Sequence, residues 1–167
     1  MARMQRLLTN LFGGWFQLRR RFPAALLDEM AAAIAAGERT HLGEVCFAVE
    51  SRLAPLAVLD GLGAPARARQ VFTQLRVWDT ERNSGVLFYV LMAEHRIEIV
   101  ADRGIAAQVT TAEWDTICTR MRECYARGQW RDGSLEGIAA AHALLARHFP
   151  DDGNAKPDEL PDRPVLL

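Results

Sequence analysis

With 167 residues, half of them apolar and a quarter charged, the chain can build one domain with a full core but not two. A formal net charge of −1 gives bulk electrostatics no hold on nucleic acid, so no nucleic-acid partner is expected. No stretch reaches the roughly 18 to 20 apolar residues that cross a bilayer, which argues against a transmembrane helix.

Residues 1–22 form a basic, amphipathic leading segment. Residues 1–27 hold five arginines and no acid. Between the arginines, Leu7, Leu8, Leu11, Phe12, Trp15, Phe16 and Leu18 fall at helical spacing. An apolar stripe with a basic flank suits a membrane surface or a membrane protein complex; the plain alternative is a helix packed on its own domain with its arginines in water. Thr9, Asn10, Gly13 and Gly14 interrupt the run before Arg19–Arg20–Arg21, so no secretory signal peptide is read here. The Gly13–Gly14 pair also weakens any single continuous helix. The expected location is the cytoplasm, with peripheral attachment at the inner membrane as its extension.

Residues 23–150 are expected to form a single α/β domain. Pro23–Ala36 reads as a helix, with Leu26, Leu27, Met30, Ala33 and Ile34 on one stripe, and Gly37 is a natural stop. Gly43–Ser51 reads as a strand. Val45, Phe47 and Val49 face one way, and Cys46 and Ala48 the other, which suggests a sheet covered on both faces. Residues 52–63 give no clear element, because Pro55, Gly61 and Gly63 break the pattern. Pro65 can open a helix running to about Trp78, with Ala68, Val71, Phe72, Leu75 and Trp78 on a stripe. Gly85–Ala93 is the second strand, so strand, helix and strand form a βαβ unit with parallel strands. Ala93-Glu94-His95 supplies a turn and Arg96–Ala101 a third, antiparallel strand.

Thr110-x-x-Glu113 is a capping box. Trp114, Ile117, Cys118, Met121 and Tyr125 carry the helix that follows, and Gly128 closes it. The last helix covers about Leu135–Phe149 and ends at Pro150. Residues 151–167 hold five acids, two bases and three prolines, the composition of an unstructured or loosely docked acidic tail. Leu160, Val165, Leu166 and Leu167 are its candidate tethers.

Cys46, Cys118 and Cys124 form no C-x-x-C pair, so buried free thiols are expected rather than a thiolate zinc site. His41, His95, His142 and His148 are well separated along the chain. His142 and His148 are placed on different faces of one helix, and zinc held by histidine is not expected. Neither a G-x-S-x-G elbow nor a P-loop is present.

One constellation carries chemistry. Asp79-x-Glu81-x-Asn83 precedes the second strand and Asp102-Arg103 follows the third. A tight antiparallel hairpin would bring these outer ends together. Asp79, Glu81, Asn83 and Asp102 are therefore candidate oxygen ligands for Ca²⁺ or another divalent cation, with Arg103 poised for a phosphate or carboxylate. Ser84 and Val90 stand where an EF-hand loop needs glycine and glutamate, so this is not an EF-hand. The ordinary alternative is a turn built by Asp79 and Asn83-Ser84-Gly85, with Glu81 solvated. Glu44 and Glu98 lie in strands and need a solvated edge or a partner; for Glu98, Arg96 or His95 would serve.

The words GEVCFAVES, NSGVLFYVLMAEHRIEIVADRGI, W-x-x-I-C and the later G-x-W-x-x-G, in that order and spacing, resemble the TPM domain over about residues 38–150. That family includes thylakoid-lumen proteins and many bacterial envelope proteins. The resemblance implies a three-layer α/β/α sandwich with a small mixed sheet of about four strands. In some members it implies a calcium or other divalent ion in a cleft at one end of the sheet. An acid phosphatase activity has been attributed to plant members, and others act as accessory or assembly factors for membrane complexes. The sequence as read is expected to depart from many bacterial members in export signal and trailing transmembrane helix, neither of which is read here, and in its arginine-rich front. The first expectation is therefore an accessory module, more binding than catalytic, with a cation at the loop end of the sheet. The rival is a metal-assisted phosphatase, in which the ion polarises a phosphoryl oxygen or activates water, though no general acid stands out. A third reading is protein–protein interaction through the leading segment.

Overall fold

The computed structural model describes residues 2–12, 14–154 and 157–167. Gly13, expected to interrupt the leading stripe, and the side chains of Phe12 and Trp15, expected within it, lie outside the described residues, as do the side chains of Ala2 and Arg3. The elements run α1 (Ala2–Phe12), α2 (Trp15–Arg21), α3 (Ala24–Glu38), β1 (Glu44–Glu50), α4 (Pro55–Leu59), α5 (Ala64–Gln74), β2 (Gly85–Leu91) and β3 (Arg96–Ala101). They continue with α6 (Arg103–Ala106), α7 (Thr111–Ala126), α8 (Trp130–His148) and β4 (Val165–Leu166).

The sheet has the order β3-β2-β1-β4. β1 and β2 are parallel, pairing Glu44 with Gly85 through to Glu50 with Leu91. β2 and β3 form the antiparallel hairpin, from Val86 opposite Ala101 to Leu91 opposite Arg96. Every residue of β1 and β2 is buried, as near-continuous apolar strands require. Val45, Phe47, Val49, Val86, Phe88 and Val90 face a core closed by α3, α7 and α8. Phe47 and Phe88 stack there, 5.4 Å between ring centroids. Cys46, Ala48, Leu87, Tyr89 and Leu91 face the opposite way, against Val58 of α4 and Ala64, Ala68 and Val71 of α5. The result is a helix–sheet–helix sandwich, and each fully buried Val, Leu or Phe adds about 1.5–3 kcal/mol of burial energy.

The leading segment folds onto this body. Leu18 and Phe22 enter the core. Asn10 is fully buried; its amide donates to Glu94 Oε1 at 2.9 Å and its oxygen accepts from the Leu53 N–H at 2.7 Å. Arg6 also reaches Glu94, through Nε at 3.1 Å and Nη2 at 2.8 Å. α1 is thereby fastened to the β2–β3 turn.

Several boundaries differ from the sequence expectation. α3 continues through Gly37 to Glu38. A Cβ on Gly37 would lie 2.2 Å from the His142 ring, so glycine here lets α8 approach rather than stopping the helix. α5 ends at Gln74, and Arg76 turns the chain with φ 56°, which leaves Trp78 about half exposed. Residues 52–63 contain α4, started by Pro55 at its first position. α8 begins at Trp130 rather than Leu135 because Trp130 itself packs on Phe22 and Tyr125. The acidic tail is docked: Leu160 is buried, and Val165 and Leu166 pair in parallel with Ala48 and Val49. The fourth strand thus comes from the segment whose composition looked least structured.

Candidate functional site

The two loops at the outer end of the hairpin do meet. The Asp102 N–H donates to Gly85 O at 2.8 Å, and the Gly104 N–H donates to Asn83 O at 3.1 Å. Gly104 makes this possible, since a Cβ there would lie 2.6 Å from the Asn83 carbonyl oxygen and 3.0 Å from that of Arg82. Asn83 adopts φ 52°, a left-handed conformation that asparagine tolerates better than most residues. Its Oδ1 accepts from Arg103 Nε at 2.9 Å. Asp102 caps α6, with Oδ1 accepting the Arg103 N–H at 2.7 Å. Its Oδ2 is buried with no hydrogen-bond partner.

Asn83, Asp102 and Arg103 therefore come together, while the other two predicted ligands are directed elsewhere. Asp79 is exposed and ion-paired to Arg76 Nη2 at 2.6 Å. Glu81 is exposed, and its N–H donates to the Glu159 carboxylate at 3.0 Å. Asp79, Glu81 and Asp102 do not bring ligand oxygens within 4.8 Å of one another; among the described residues that holds for Glu38, Glu44 and Asp158 instead.

This second cluster sits where α3 hands the chain to β1. Glu38 Oε1 accepts the Val45 N–H at 2.6 Å. Glu44 is fully buried, and its Oε2 accepts the Glu159 and Leu160 N–H groups, both at 3.3 Å. Asp158 arrives from the tail. The three carboxylates line a concavity of about 400 Å³, together with Arg39, His41, Asp151 and Asp162.

Two of the four histidines, far apart along the chain, meet in space. His41 Nε2 lies 2.7 Å from His142 Nδ1, and the rings stack 5.0 Å apart. His41 Nδ1 accepts the Gly43 N–H at 3.1 Å. A neutral His41 must then carry its proton on Nε2 and donate it to His142 Nδ1. With both His41 nitrogens engaged, the wall beside the carboxylates offers oxygens rather than imidazole lone pairs, a donor set for hard cations.

A third buried carboxylate is already satisfied. At the other end of β1, Glu50 accepts from Arg67 Nε at 2.9 Å, Arg67 Nη2 at 3.0 Å and the Tyr89 hydroxyl at 2.6 Å. Burial, and then the Glu50 carboxylate, push the Tyr89 hydroxyl pKa up. The Arg67 pKa is raised first by the same carboxylate. This network ties α5 to the sheet.

Sequence reasoning flagged Glu44 as a strand carboxylate needing a partner, but could not find the rest. Glu38 falls past the expected helix and Asp158 is one more acid of the tail. Only the docking of the tail joins them.

The wider relationships of the chain agree with its architecture. The BA42 protein from the psychrophilic bacterium Bizionia argentinensis, known from an NMR structure, is similar, with a TM-score of 0.74 and 26% sequence identity. The likeness covers 86% of this chain and 94% of BA42. No curated protein matches the chain. The family model described as the TPM domain matches residues 22–144. That span carries α3, α7 and most of α8 on one face of the sheet and α4 and α5 on the other, and by that match the chain belongs to the TPM domain family.

Proposed function

We propose that this chain is an accessory binding module that takes a divalent cation, Ca²⁺ first, between Glu38, Glu44 and Asp158. The observation carrying this reading is the convergence of three carboxylate oxygens, from a helix end, a strand start and the tail, within 4.8 Å. Oxygens around one Ca²⁺ sit at roughly 2.3–2.6 Å from the ion, so two of them can stand about twice that far apart. Asp158 lies beyond the family match of residues 22–144, so the cation would also clamp the tail to the domain.

A second reading keeps the cation at the hairpin end, with Asp102, Asn83, Asp79 and Glu81 as ligands and Arg103 for an anion. The buried, unpartnered Asp102 Oδ2 favours it. The Arg103 guanidinium on Asn83 and the Arg76 guanidinium on Asp79 oppose it, because fixed positive charge repels a cation.

Thermal melting with and without millimolar Ca²⁺ separates the two. A ligand that binds only the folded state raises the midpoint. The expected result is a rise that Glu44→Gln abolishes and Asp79→Ala leaves intact. A rise lost in Asp102→Asn and kept in Glu44→Gln moves the ion to the hairpin. No rise at all ends the cation reading.

The accessory role extends to a membrane surface. Met4, Leu8 and Leu11 of α1, Phe16 of α2, and Leu56 and Leu59 of α4 are all exposed large hydrophobics. They account for all such residues among those described except Trp78. No helix of the described residues is long and apolar enough to cross a membrane, so attachment would be lateral. Co-sedimentation with anionic vesicles should fall when Leu8, Leu11 and Phe16 are changed to Gln. Unchanged sedimentation would leave this face for a protein partner. Phosphate-ester hydrolysis that needs both Ca²⁺ and Glu44 would replace the accessory reading by the phosphatase one.

A further inference from the structure

A recess of about 250 Å³ lies between the β2–β3 hairpin and the C-terminal end of α7, away from both acidic sites. Its wall is predominantly apolar, built from Val90, Met92, Ile97, Tyr125, Ala126 and Trp130. The Tyr125 hydroxyl is 2.7 Å from Ser134 Oγ, so its polar tip is satisfied elsewhere and the phenol presents only its ring. Trp130 stacks on Tyr125 at 4.5 Å between centroids and meets Phe22 at 6.0 Å. These packed rings form one side of the wall.

The rim is cationic. Arg96 and Arg122 line the recess with His95. Arg96 is paired with Glu98 at 3.0 Å. Arg122 is exposed, donates to the neutral Thr119 hydroxyl at 3.0 Å and, among the described residues, makes no ion pair. A guanidinium at the mouth of an apolar recess complements a ligand with a carboxylate head and an apolar tail. At the ~30 Å³ that one water occupies in the liquid, the recess takes about eight methylene-sized groups.

We propose that this recess binds a medium-chain aliphatic carboxylate, its tail against Trp130 and Ile97 and its head on Arg122. The proposal is independent of the cation site.

Titrating the full chain with sodium octanoate below its micellar range, and following tryptophan fluorescence, tests it. Octanol lacks the charge, and acetate lacks the tail. The expected result is a saturable change with octanoate, at least tenfold tighter than with octanol or acetate. Trp130→Phe should remove the signal. Arg122→Gln, an exposed change that leaves the fold intact, should weaken octanoate to the level of octanol and leave octanol itself unaffected. Equal affinity for octanoate and octanol overturns the proposal. So does a signal that survives Trp130→Phe, parent-like octanoate binding by Arg122→Gln, or no saturation at millimolar octanoate.

Discussion

Cys46 and Cys118 show what burial does to a single group. Burial, reinforced by Glu38, raises the Cys46 thiol from 9.0 to about 12. Burial likewise takes Cys118 from 9.0 to about 12. Because the thiolate is the nucleophile, a thiol reagent at pH 8 should leave both unlabelled until the chain is unfolded, and rapid labelling of the folded protein would contradict this. The same shifts set a pH dependence. Above pH 9 the unfolded chain loses these protons while the folded chain keeps them. Stability is therefore complete below about 9 and falls as pH rises toward 12, by about 1.4 kcal/mol per pH unit for each thiol. Urea midpoints between pH 8 and 10 should drop for the parent and stay flatter for a Cys46→Ala, Cys118→Ala double variant. Free, buried thiols were legible from three cysteines with no C-x-x-C pair, and all three are free and buried. The ligand geometry was not. Asp79 pairs with Arg76, and Arg76 sits at φ 56°, a backbone state that leaves no trace in spacing or composition.

Elements declare themselves when local chemistry and tertiary demand coincide. The third strand matches its sequence span, and the Arg96–Glu98 pair forms as expected. Thr110 and Glu113 build the capping box at the start of α7, with the Thr110 N–H 2.9 Å from Glu113 Oε2. Glu113 also pairs with Arg147 of α8. The Thr110 cap, and first of all its backbone N–H, holds the Glu113 pKa below the usual carboxylate range. Thr110→Ala should cost about 1 kcal/mol of stability, read as a lower urea midpoint, with Thr110→Ser close to the parent. Where packing overrides the local signal, the sequence misled: Gly37 sits inside α3 rather than after it because His142 needs the space.

For the whole molecule, the layered fold was readable because apolar strands with two inward faces demand cover on both sides. The closing strand was not, since two residues of β4 make no periodicity. Their partner β1 would otherwise be an edge. In the intact chain the Leu167 N–H donates to Val49 O at 2.9 Å and Ser51 N–H donates to Leu167 O at 3.2 Å. Ending the chain at residue 152 would strip that side of its partner and uncover Ala48, Val49 and the pocket that Leu160 fills. Bare strand edges recruit other strands. The shortened chain should elute in sizing chromatography as concentration-dependent oligomers where the full chain does not; identical elution would contradict this. Residues 165–167 thus occupy the flank of β1 to which a strand from a second copy would otherwise add.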